Sequence, residues 1–137
     1  MLSYLADMSS NINKEFINAV RNSDENTVLS LLLTNKVNIN GKEKPFGDTP
    51  LICAVGHNHG SMASLLLDRG ADANIKNKYG ETALMSAVSR NHESMVSLLL
   101  DRGANINIRN DVSITFKVFY LYFPSVFYKF PSYLCKL

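Results

Sequence analysis

The stretch SLLLDRGADANIKN at residues 64–77 returns almost unchanged as SLLLDRGANINIRN at residues 97–110, 33 positions later. Turn glycines and helix residues recur at the same spacing, pairing Gly47 with Gly80, Thr49 with Thr82, Ala54 with Ala87 and Gly70 with Gly103. A fixed period of this length is typical of a chain built from repeated structural units, each of which stacks on the next.

Each unit predicts two short helices. The first, at about residues 82–90, begins with Thr82, whose side chain can accept a hydrogen bond from a free backbone N–H of the first turn. The second, at about residues 93–102, carries a leucine run and ends at Gly103, which can adopt the left-handed conformation. Because neither helix pair can bury its apolar face alone, successive units must cover one another.

A weaker copy of the unit precedes these two, since EFINAV at residues 15–20 is similar to PLICAV at 50–55. Aligned on the leucine runs, this copy has one surplus residue between its helices and another in the GKEKPF connection, and it places Lys36 where later copies have glycine. A terminal repeat that departs from the pattern predicts an end cap. We divide the chain into an N-terminal segment (1–11), a degenerate capping repeat (12–42), two further repeats (43–77 and 78–110) and a tail (111–137).

The residues that carry this pattern resemble the ankyrin repeat family. They are the 33-residue period, GDTPL at 47–51, GETAL at 80–84, and the Asn-His pairs at 58–59 and 91–92. The resemblance implies an all-α solenoid of helix-turn-helix units with short β-hairpin fingers, which binds a protein partner through its concave face without catalysis. Ile52 and Met85 replace the histidine of the family's usual TPLH motif, so we expect apolar contacts in place of its hydrogen bonds.

The resemblance also implies which residues contact the partner, because the family uses the fingertips and the exposed side of each first helix. Carried onto the matching positions, these residues are Glu43, Phe46, Asp48, Gly56, His57, Lys76, Lys78, Tyr79, Glu81, Ser89 and Arg90. Phe46 and Tyr79 are the strongest candidates, because aromatic side chains dominate interface energies. The alternative is that both rings pack against the adjoining finger, and Pro45 favours a tight local turn next to Phe46.

Other kinds of chemistry find little support in the sequence. His57, His59 and His92 lack the further clustered ligands that a metal site requires. Cys53 follows an apolar run in a predicted helix, where a cysteine packs as a small apolar residue. No phosphate-binding loop with its characteristic glycine and lysine spacing is present. We therefore expect no enzyme activity, no metal, no cofactor and no small-molecule substrate.

Charge and cysteine content narrow the class of partner and the compartment. The net charge is only +2, and acidic and basic residues balance within residues 1–110, so the sequence does not predict nucleic-acid binding. Two cysteines without disulfide or metal spacing favour a reducing, cytoplasmic setting. The alternative to a cytoplasmic location is secretion as an effector by an intracellular bacterium, which the Asn-, Lys- and Ile-rich composition suggests. The N-terminus lacks the features of a signal peptide, and we expect no membrane span.

The repeat pattern stops after Thr115, where the chain continues as FKVFYLYFPSVFYKF. Nine of the thirteen aromatic residues lie between Phe116 and Tyr133. Three hypotheses remain open for this tail: a cap on the last repeat, an interfacial membrane anchor that makes the protein a membrane-associated adaptor, or a segment without an evolved fold at the end of a truncated array. For the tail we favour the third, because the phase is lost in mid-motif. A truncated remnant of a longer array without a specific function is the alternative to the predicted protein-binding role.

Overall fold

Three helical hairpins, stacked in series, make up the part of the chain that the computed structural model describes, which is residues 1–110. Their helices are α1 (Leu2–Arg21), α2 (Glu25–Leu33), α3 (Pro50–Gly56), α4 (Gly60–Asp68), α5 (Ala83–Ser89) and α6 (Glu93–Asp101). Helices α1, α3 and α5 pack side by side in one row, and α4 packs against α6 in a second row. The predicted all-α repeat architecture is confirmed, whereas the hypotheses for the tail concern residues outside this range.

The short first helices begin at the threonines that the sequence predicted as caps. The Thr82 hydroxyl oxygen accepts a hydrogen bond from the N–H of Met85 at 3.4 Å, and Thr49 does the same for Ile52 at 3.2 Å. Pro50 takes the first position of α3, where a missing N–H costs nothing. Both threonines are buried, so each capping hydrogen bond is shielded from water.

The turns that end the helices use residues that tolerate a left-handed backbone. Asn58 and Asn91 have φ of 59° and 63° between the two helices of their repeats, as expected for asparagine at these positions. Gly70 and Gly103 have φ of 89° and 82° directly after α4 and α6. These four positions reverse the chain at matching points, so that successive repeats present the same apolar face to each other.

Leucines and two histidines join the repeats. Leu66 of α4 and Leu99 of α6 are fully buried in one continuous core, as stacking requires. The His92 Nδ1–H donates to the carbonyl of Val55 at 3.0 Å, which links the third repeat to the second. His59 makes the equivalent contact with the carbonyl of the first repeat's α1. His59 and His92 therefore supply hydrogen bonds between repeats, although the histidine of the TPLH motif is replaced in this chain.

The first repeat keeps the helix spacing of the later ones, so the expected surplus residue between its helices is wrong. Helices α2 and α4 both have nine residues, and Asn35 (φ 54°) takes the left-handed position that Gly70 takes after α4. In this register Leu33, which is 80% exposed, corresponds to Asp68 and not to a core leucine. The surplus residue is Lys36, which follows α2. Lys36 therefore does not take the position of Gly70 and Gly103, as the sequence alignment had placed it.

The connections between repeats, which we call finger 1 (residues 41–48) and finger 2 (residues 75–81), contain no strand within residues 1–110. Two backbone bonds close each turn. In finger 1 they run from Glu43 N–H to the Asp48 carbonyl at 2.9 Å and from Gly47 N–H to the Glu43 carbonyl at 2.7 Å. In finger 2 they run from Asn77 N–H to the Glu81 carbonyl at 2.9 Å and from Gly80 N–H to the Asn77 carbonyl at 3.1 Å. Finger 1 is one residue longer, as the sequence predicted for its GKEKPF segment. Since neither finger forms a strand within residues 1–110, the β-hairpins expected there are not shown and stay a prediction.

Helix α1 begins ten residues before the start of the capping repeat predicted from the sequence, which was set at residue 12. It continues without a break across the boundary set between residues 11 and 12, and its first ten residues are exposed. Leu5 and Met8 are among the apolar side chains of this extension, with 59% and 46% of their surfaces exposed. None of the helices within residues 1–110 combines the length and the apolar character needed to cross a bilayer.

Candidate functional site

Two aromatic rings and a lysine meet at the fingertips. The centroids of the Phe46 and Tyr79 rings are 6.3 Å apart, with the ring planes inclined by 32°. A backbone bond of 3.0 Å from Lys78 N–H to the Phe46 carbonyl holds the two fingers together. The rings nevertheless remain 48% and 55% exposed, so each packs on the other and still offers about half of its surface.

Asn77 sets the shape of finger 2 and is itself buried. Its Oδ1 accepts hydrogen bonds from the N–H groups of Tyr79 at 2.9 Å and Glu81 at 3.0 Å. Its Nδ2 donates to Oδ1 of Asp48 at 2.8 Å, across the gap between the fingers. Asp48 and Glu81, both predicted as contact residues, are half-buried and take part in this bonding between and within the fingers.

Glu43 connects finger 1 to the helix row through an ion pair with Arg21 of α1. Partial burial opposes the charge on Arg21, but the hydrogen bond to Glu43 and the nearby negative charges raise the pKa of the guanidinium above its usual value. Glu43 is half-buried in this pair. Its carboxylate, predicted to contact a partner, thus also fixes finger 1 against α1.

The remaining predicted contact residues lie at the ends of α3 and α5 and at the base of finger 2. His57, Ser89 and Arg90 are exposed, and the first two bond to carbonyls of their own helices. A Cβ placed on Gly56 would lie 3.6 Å from Nε of Arg90, so the Arg90 side chain passes over this glycine. Lys76 extends away from the other residues, and its Nζ donates to the Arg109 carbonyl of the next connection at 2.6 Å.

A groove of about 450 Å³ separates α1 from finger 1. It is lined by Ser10, Asn13, Lys14, Ile17, Asn18, Arg21, Lys42, Glu43 and Lys44. Apart from Glu43, none of these residues was predicted from the sequence. The sequence did contain a pattern that could have pointed to the lysines of finger 1. Lys42 and Lys44 have the same Lys-x-Lys spacing as Lys76 and Lys78 in finger 2, which were predicted as contact residues.

Comparison with known families decides the classification of this stack. The family model described as ankyrin repeats (3 copies) matches residues 16–110, which is more than half of the chain. The chain belongs to the ankyrin repeat family. A search of curated proteins finds no match to it. Ankyrin repeats are generally protein–protein interaction modules and are generally not catalytic. The matched range includes most of the degenerate first repeat.

Within residues 1–110, the ankyrin stack holds one cysteine, and it is buried. Cys53 is a free thiol with 5% of its surface exposed. Burial, assisted by the negative charge of Glu43, raises the pKa of the thiol to about 12, although Arg21 acts in the opposite direction. Within residues 1–110, no three histidine, cysteine or acidic side chains are placed to hold a metal ion.

We expect Cys53 to resist thiol reagents for as long as the ankyrin stack stays folded. In a Cys135→Ser background, labelling by a disulfide reagent at pH 8 should be at least about a hundredfold slower in buffer than in urea, because the thiolate is scarce and shielded. Since the folded pKa exceeds the ordinary 9.0, this buried thiol stabilises the fold below pH 9 and loses that contribution toward pH 12. Equal labelling rates in buffer and urea would contradict the burial of Cys53.

Proposed function

We propose that this ankyrin stack binds a protein partner through its concave face, which is formed by the two fingers and the exposed side of α3 and α5. The observation that carries the proposal is the fingertip pair of Phe46 and Tyr79. Within residues 12–110 the large apolar side chains with the most exposed surface are these two rings and Leu33. Two of the three are therefore adjacent at the fingertips, where no core requires them.

The surroundings of the rings support a binding role over a purely local one. Packing between the rings accounts for only part of their surfaces, and a partner that covers the remainder would gain the area-dependent free energy of apolar burial. Lys78 and Arg90 add exposed positive charge on the same face. Aromatic and arginine side chains are the commonest sources of large binding energies in protein interfaces.

The compartment is part of the same proposal. Cys53 is a free, buried thiol, and cytoplasmic proteins generally keep their cysteines reduced. We therefore propose a cytoplasmic protein as the partner, with a host-cell protein met after secretion as the alternative.

Photo-crosslinking in cells that express the full chain tests this proposal. A benzophenone amino acid at position 78, beside the fingertip rings, should crosslink to protein partners, while the same group at position 33 should not. Tyr79→Ala and Arg90→Ala should each reduce capture by about tenfold or more, the effect expected of interface hot spots. Tyr4→Ala and Arg69→Ala are matched controls, because both side chains are exposed and lie outside the proposed face. If the Tyr79 and Arg90 variants capture the same proteins as strongly as the parent, the proposed face is wrong.

A further inference from the structure

We propose that the groove between α1 and finger 1 binds an acidic peptide segment. This inference rests on the proposed function and adds the chemistry of the protein partner. Its charge is the first argument. Four cationic side chains line it against one carboxylate, and that carboxylate, on Glu43, is neutralised by its ion pair with Arg21. Three lysines at positions 14, 42 and 44 therefore face the groove without an acidic counterpart among its lining residues.

The groove differs in this respect from the rest of the stack. Acidic and basic residues balance over residues 1–110, so an excess of positive charge in one groove is a local property of this surface. The acidic residues of α1 at positions 7 and 15 are not among the lining residues. Positive charge concentrated in a cleft raises the local concentration of anionic partners and accelerates their association.

The polar lining suits a peptide backbone. The Asn13 Oδ1 already accepts a hydrogen bond from the Asn38 N–H at 3.1 Å, which leaves its side-chain N–H groups as donors. Ser10 and Asn18 add further polar groups on the same face of α1, and Ile17 supplies a buried apolar floor. A volume of about 450 Å³ lies in the range of clefts that enclose small ligands and short segments of chain.

The same features separate a peptide from a phosphate-containing ligand. Phosphate sites converge several backbone N–H groups at a helix N-terminus or in a glycine-rich turn. This groove runs along the side of α1, and its three lysines lie on both sides of it, with Lys14 on α1 and Lys42 and Lys44 on finger 1. An extended chain with spaced carboxylates could meet lysines on both sides while its backbone bonds to the amides. Lys78 of finger 2, whose N–H bonds to the Phe46 carbonyl, is a further exposed lysine near the fingertip rings.

Fluorescence anisotropy with the full chain tests the inference directly. The probe is a fluorescein-labelled twelve-residue peptide of alternating glutamate and serine, and its uncharged control has glutamine in place of glutamate. The glutamate peptide should bind more tightly than the glutamine peptide, with an affinity that falls as salt is added. Lys42→Glu combined with Lys44→Glu should weaken binding by about tenfold or more, because both attractions become repulsions.

The matched control carries the same change in net charge away from the groove. Lys36→Glu combined with Arg69→Glu alters two exposed side chains that do not line it, and should leave the affinity within about twofold. Equal losses in the two double variants would overturn the proposal in favour of a non-specific charge effect. Absence of binding, or tighter binding to vesicles of phosphatidylserine that is lost in the groove variant, would also overturn it. Crosslinking from position 78 that depends on Tyr79 would then still support the proposed function, so the two failures are distinguishable.

Discussion

Replacing Leu66 with alanine is expected to lower the free energy of unfolding by about 3 kcal/mol, because Leu66 is fully buried between repeats and its truncation leaves a cavity. Leu66 belongs to α4, which packs against α6, and it shares the continuous core with Leu99. The same core spans all three repeats, so the loss should appear as one shift of the whole unfolding transition. Urea denaturation followed by circular dichroism measures it.

Leu33→Ala is the matched control, since it removes the same atoms from a leucine that looks equivalent in the sequence. Leu33 ends the first repeat's leucine run, but it is 80% exposed and occupies the position of Asp68. Its replacement should change the free energy of unfolding by less than about 0.5 kcal/mol. A similar loss from both substitutions would contradict the register of α2 and restore the alignment in which the leucine runs coincide.

This contrast shows where sequence reasoning succeeded and where it failed. The period and the turn residues were sufficient to predict the repeated helix pairs, because glycine and asparagine at left-handed positions have few substitutes. Three consecutive leucines do not by themselves determine how α2 aligns with α4 and α6, since any of the three can face the core. The register of α2 is set by its cap, where the Asp24 carboxylate accepts a hydrogen bond from the Thr27 N–H at 3.1 Å. Alignment on the caps Asp24 and His59 would have placed the surplus residue correctly.

The candidate site was less accessible to prediction than the fold. Phe46 and Tyr79 were predicted as the strongest contact residues because aromatic side chains dominate interface energies. Their rings pack on each other, as the local alternative expected, while about half of each surface stays exposed, so their contact with a partner stays a prediction. The ion pair of Arg21 with Glu43 joins residues 22 positions apart, and the groove exists only because finger 1 folds back along α1. Such features depend on how the connections pack, which the repeat period does not encode.

Replacing Asn77 with alanine is the second large effect, with an expected loss of about 2 kcal/mol in the free energy of unfolding. The substitution removes the acceptor for the N–H groups of Tyr79 and Glu81 and the donor to Asp48. Asn77 is only 8% exposed, so water cannot readily replace all three partners. A buried hydrogen-bond network that loses one member destabilises the fold, because the polar groups left without a partner still carry the cost of their removal from water.

Asn107→Ala serves as the control, because Asn107 is exposed and its side chain makes no hydrogen bond within the described residues. We expect it to change the free energy of unfolding by less than about 0.5 kcal/mol. Hydrogen exchange adds a local measurement, since the amide protons of Tyr79 and Glu81 should lose protection in the Asn77 variant beyond the change in global stability. If their protection falls only in proportion to global stability, finger 2 holds its shape without Asn77. The backbone bond between Lys78 and Phe46 would then be the contact that positions the fingertip rings.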